Sequence, residues 1–199
     1  MQESIQYKWR VVDIAVASVI GVVSSIVYWV AAVGYSVPWT ALESVLPGFG
    51  GFMNGLWLFA APLAAVIVRK PGAALYAEML AAILELTLGN LWGVDTILIA
   101  LVQGLFAEIV FAIMRYKVWN VTTVVLSGAV SGIGCWGYTF FTHLSGMEIM
   151  GAYGIMYLIS TMISGAIVAG ALMWYLYVAV AKTGALDAFA SGRIVRGLA

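Results

Sequence analysis

Six separate runs of apolar residues, each about as long as a hydrocarbon crossing, constrain this chain more than any other feature. They cover about 11–34, 51–68, 72–89, 95–115, 120–142 and 152–181. A helix needs roughly 20 such residues to cross a bilayer. In water these runs would have nothing to cover them: 64% of the 199 residues are hydrophobic, 9% are charged, and mean hydropathy is +1.05. The fold class expected is an all-α integral membrane protein, with residues 1–199 forming one transmembrane binding domain. The run after Arg10 is too long for the core of a cleavable signal. Net charge is zero, which argues against nucleic acid as a partner, and the single Cys135 rules out an internal disulfide.

The breaks between runs are punctuated by Pro, Gly and charge. YSVPWTALESVLPGFGG lies between the first two, RKPG before the third, LGNLWGVD before the fourth, MRYKVWN before the fifth and HLSGMEIMG before the sixth. All nine basic residues (Lys8, Arg10, Arg69, Lys70, Arg115, Lys117, Lys182, Arg193 and Arg196) fall on one side of this pattern. The positive-inside rule makes that side cytoplasmic, with both termini inside. Glu43, Asp95, His143 and Glu148 fall on the opposite side, and Asp13 is placed to pair with Arg10 or Lys8.

Three glutamates lie within the apolar runs: Glu78 and Glu85 on the third, Glu108 on the fourth. An ionisable group there costs several kcal/mol and normally faces protein or water. At 1.5 Å per residue, Glu78 lies about 10 Å and Glu85 about 21 Å from Pro71, so Glu78 shares a level with Glu108, and Glu85 with Gln103. Seven residues make nearly two turns, which puts Glu78, Glu85 and Trp92 on one stripe beside Ala81, Ala82 and Gly89. Further candidates toward the outer side are Asn54, Trp57, Trp136, Thr139, His143, Tyr153, Tyr157, Ser160 and Ser164. Carboxylates without a buried cation repel an anion and attract a cation, and Trp and Tyr faces add cation–π attraction. The expected ligand is therefore a small, ring-containing cation.

No P-loop, HExxH or GxSxG is present, so no enzymatic activity is expected of the chain itself. Energy for transport would come from an ion gradient or from partner proteins. Ala17, Gly21 and Ser25 form a small-residue ridge on the first run, read as the preferred face for a partner, and Gly128 and Gly132 form a GxxxG on the fifth.

Six crossings without an ATPase motif, together with RKPGAALYAE (69–78), LGNLWG (88–93) and QGLFAEIVFA (103–112), resemble the substrate-binding S-components of energy-coupling factor (ECF) vitamin transporters, YkoE type. The resemblance implies a subunit of the bacterial cytoplasmic membrane that takes up thiamine or its hydroxymethylpyrimidine precursor from outside. It implies association with a transmembrane coupling subunit and two ATPases, and residues 35–50 serving as a lid. Thiamine would be cargo, and no cofactor is expected. Under it, Glu85, with Glu78 or Glu108, pairs with the cation or the pyrimidine amine. Trp57, Trp92 or Trp136 stacks on a ring, and Asn54, Gln103, Tyr157 and His143 complete the site. The rival expectation is a stand-alone proton-coupled carrier or channel whose glutamates relay protons.

Overall fold

The computed structural model describes residues 7–198, and among them every regular element is helical. The order is α1 (Val11–Gly34), α2 (Ser36–Val45), a 3₁₀ segment (Phe49–Trp57), α3 (Ala60–Val68), α4 (Ala73–Leu88), α5 (Asp95–Ile113) and α6 (Val121–Thr142). Then follow α7 (Ala152–Ser164), a π-helical segment (Gly165–Leu172), α8 (Met173–Lys182) and α9 (Ala190–Val195). Four continuous helical runs are long and apolar enough to cross a membrane: α1, α5, α6 and Ala152–Lys182. The 3₁₀ segment with α3, bent by 41°, makes a fifth. The third apolar run yields α4, whose 16 residues rise only about 24 Å, so length alone does not qualify it.

Two sequence expectations need correction here. The segment 35–50 contains a helix, α2, because Pro38 sits in its first turn, where a missing N–H costs nothing. The second apolar run is a broken element, 3₁₀ then α, and irregular backbone at membrane depth needs internal hydrogen-bond partners. The serine stripe of α7 supplies them. Ser164 Oγ accepts from Gly55 N at 3.1 Å and donates to Phe52 O at 2.5 Å, and Ser160 Oγ donates to Gly48 O at 2.7 Å. Gly48 itself has φ +97°, and a Cβ there would lie 2.8 Å from Tyr157 N, so the turn into this segment requires glycine.

The ridge on α1 is also corrected. Ala17, Gly21 and Ser25 are buried, and a Cβ built on Gly21 would meet Leu80 of α4 at 3.0 Å. Small residues here let α1 and α4 approach, while Val19, Val23 and Val30 face outward. The partner-docking face assigned to Ala17, Gly21 and Ser25 is thus an internal helix contact. In the second small-residue motif, Gly128 packs against the π segment and Gly132 against Thr161 of α7. A Cβ on Gly128 would sit 2.2 Å from Gly165 O and 2.9 Å from Gly170 N, both backbone atoms that cannot rotate away. Gly128→Ala should therefore destabilise the bundle by about 2 kcal/mol, read as a lowered Tm in detergent. An unchanged Tm would contradict this packing.

The helix ends that carry the basic residues gather at one end of the bundle. Asp13, fully buried, is bonded by Arg10 and Lys70, and the Lys70 ammonium also donates to Lys8 O at 2.6 Å. Arg69 reaches Tyr177, whose hydroxyl donates to Ser191 O, while Ser191 Oγ donates to Ile67 O at 2.6 Å. These bonds fold α9 across the base of α3 and α8. The opposite end is left to the cavity.

Candidate functional site

A cavity of about 230 Å³ opens in this opposite half, between α1, α2, the 3₁₀ segment, α4, α5, α6 and α7. Its walls bring together Glu78, Glu85, Asn54, Trp57, Trp92, Gln103, Tyr157 and His143 from the residues singled out in the sequence. Tyr28, Tyr35, Trp39 and Asp95 line it as well.

The two glutamates of α4 are both fully buried, yet they differ in what they touch. Glu78 accepts from Tyr28 Oη at 3.1 and 3.2 Å and from Ala61 N at 3.0 Å, while Tyr28 Oη accepts from Ala60 N at 3.2 Å. Ala60 and Ala61 are the first residues of α3, whose amides have no helical partner. Glu78 and Tyr28 thus close the break in the second run. Glu85 accepts one bond, from Trp57 Nε1 at 3.2 Å, and its Oε2 is buried without a protein hydrogen-bond partner among the described residues. A buried carboxylate oxygen in that state is uncommon, which makes Glu85 the candidate acceptor on this wall.

Aromatic rings surround that oxygen's carboxylate. Tyr35, Trp57 and Trp92 meet edge to face, with centroids 5.2–5.8 Å apart, and Trp39 lies 5.1 Å from Tyr35 and 5.9 Å from Tyr157. Such mutual contacts fix the rings before a ligand arrives. On the facing wall, Asn54 Nδ2 donates to Tyr157 Oη at 2.9 Å and Thr161 Oγ1 at 3.0 Å. Both amide hydrogens are then used, and the carbonyl oxygen is what Asn54 can offer a ligand. Toward the mouth, Asp95 is bonded by Tyr138 Oη and by His143 Nε2, the latter at 2.7 Å. Glu43 pins α2, accepting from Gly48 N and Gly50 N at 3.0 Å and from Tyr153 Oη at 3.4 Å.

Two candidates lie elsewhere. Glu108 accepts from Gly72 N, Ala74 N and Leu75 N at 2.8–3.4 Å and from Tyr116 Oη at 2.8 Å. It caps the amino end of α4, where free amides and the helix dipole favour a carboxylate. Burial, then the Glu108 carboxylate, push the Tyr116 phenol upward, which keeps it a donor. Glu108→Ala should lower the Tm, by about 1 kcal/mol of stability, and leave ligand affinity intact. A loss of affinity at full stability would return Glu108 to the site. Trp136 donates to Gly154 O at 3.0 Å and packs on Phe140, joining α6 to α7 outside the cavity.

Tyr28, Tyr35 and Trp39 were not singled out as wall residues from the sequence. Their spacing of seven and four is a helical stripe that runs from α1 through α2, across what the sequence presents as a break between apolar runs.

Residues 12–134 match the family described as ABC-type cobalt transport system, permease component. Among individual proteins, the chain is 35% identical to YkoE of Bacillus subtilis (strain 168), over 93% of this chain and 91% of that one; that protein is named, provisionally, an HMP/thiamine permease protein. A crystal structure of an S-component of an ECF transporter superimposes with a TM-score of 0.85 at 32% identity, covering 96% of this chain and 94% of the other.

Proposed function

Because the chain belongs to the S-components of ECF transporters, YkoE type, we propose that it captures thiamine or its hydroxymethylpyrimidine precursor on the outer side of a bacterial cytoplasmic membrane and delivers it inward with partner ATPases. The observation that carries this reading is the unpartnered Oε2 of Glu85, buried within a frame of Tyr35, Trp57 and Trp92. An oxygen in this position accepts a hydrogen bond from a ring amine or pairs with a ring cation, and indole faces supply the stacking surface. Thiamine presents both groups, and the precursor presents the amine.

Six crossings with both termini inside follow from the same reading. The basic residues lie at the end opposite the cavity, as positive-inside topology requires of a site that fills from outside. The short α4 completes its crossing with the segment Gly89–Trp92. Cobalt, named in the description of the matching family, fits these walls poorly. Among the described residues no three His, Cys, Asp or Glu side chains converge as a metal site, and the cavity offers indoles around a single free carboxylate oxygen.

The importer reading requires a transmembrane coupling subunit and two ATPases, since the sequence holds no nucleotide-binding motif. Cells lacking their own thiamine uptake should accumulate labelled thiamine when the chain is expressed with such a module, and not with the chain alone. Uptake by the chain alone, abolished by a protonophore, would instead establish the proton-coupled carrier.

A further inference from the structure

His143 aside, the acidic and basic side chains on the cavity wall are carboxylic acids. Glu78 and Glu85 come from α4 and Asp95 from α5, and among the described residues no Lys or Arg lines the cavity. The one other titratable side chain at the mouth that can turn positive is His143 of α6, and it is already engaged by Asp95. Tyr138 binds Asp95 Oδ1 and His143 binds Oδ2, which orients the carboxylate at the mouth. The inner end is closed by Tyr28 and Glu78, whose polar atoms are all engaged. A ligand that fills the aromatic frame therefore directs its remaining substituent toward the mouth.

We propose that Asp95 is a specificity-determining residue that admits the free vitamin and rejects its phosphate esters. This inference rests on the thiamine reading above. A phosphomonoester brings about −1.5 to −2 charges near pH 7. At a rim lined by Asp95 it meets a like charge with no Lys or Arg on the wall to offset it, and like charges brought together this way weaken binding. Free thiamine ends in a neutral hydroxyl and carries a cation, so the same residue favours it. The discrimination is built from charge alone and needs no steric gate.

The test is a titration of the purified full chain with thiamine and with thiamine monophosphate, following tryptophan fluorescence. The ester should bind at least about 30-fold more weakly than thiamine. Asp95→Asn should narrow that ratio about fivefold or more, because the amide keeps the shape and removes the charge. His143→Lys, at a half-exposed position, should narrow it too by placing a fixed positive charge at the rim, and it decides the matter if Asp95→Asn fails to fold. Thiamine and ester binding equally well, or a ratio unmoved in both variants, would overturn the role of Asp95 while sparing the vitamin reading. Absence of thiamine binding itself would bring down both.

Discussion

Glu85→Gln should weaken thiamine binding by at least about 30-fold, while the Tm of the empty protein stays level or rises. The two effects share one cause. In the empty protein Glu85 is fully buried, accepts a single bond from Trp57 Nε1, and leaves Oε2 unpaired. Taking a carboxylate out of bulk water with a single protein hydrogen bond to compensate opposes folding. An amide keeps the acceptor for Trp57 and carries no charge, so the unliganded fold loses nothing. The ligand loses its ion pair or charged acceptor, worth about 2 kcal/mol or more in a desolvated pocket. Binding measured beside thermal unfolding separates this from a structural role. A variant that binds as tightly as the parent removes Glu85 from the site, and one that loses Tm along with affinity makes it a packing residue.

Glu78→Ala should do the reverse: a fall in stability of about 3 kcal/mol, seen as a marked drop in Tm. Glu78 lies on the same stripe and is as deeply buried, but its oxygens are spent on Tyr28 Oη and Ala61 N. Removing it strands the Ala61 amide in the first turn of α3 and a tyrosine hydroxyl at membrane depth. The broken second run then has nothing to hold its bend. Glu78→Gln, which retains an acceptor, should be milder. If Glu78→Ala kept its Tm and lost only affinity, the division of labour between the two glutamates would be wrong.

That division could not be read from spacing. The stripe of Glu78, Glu85 and Trp92 was legible because the period of a helix dictates which residues share a face. What each glutamate bonds depends on residues far along the chain: Tyr28 is 50 positions from Glu78, and the amides capped by Glu108 are 33–36 positions away. Depth arithmetic puts Glu78 and Glu108 at one level but not in one contact. The structure turns Glu108 toward the start of α4, since five residues separate it from the face of Gln103.

The basic residues at one end were equally legible, being a matter of where charges fall between apolar runs. The ridge of Ala17, Gly21 and Ser25 was legible as a close-contact surface but not as to its partner. Small side chains permit approach by any helix, and α4 takes that place. Pro38 reads as punctuation between apolar runs, yet proline also begins helices, and α2 brings Trp39 to the aromatic frame.

On the proposed function, the cavity is an organic-cation or ring-amine site built around Glu85. Its most direct test is an equilibrium titration of the purified chain in lipid nanodiscs with thiamine and with hydroxymethylpyrimidine, read through the indoles of Trp39, Trp57 and Trp92. The account predicts a saturable, one-to-one change in tryptophan fluorescence with at least one of them, lost or strongly shifted in Glu85→Gln. No saturable change with either ligand would contradict it.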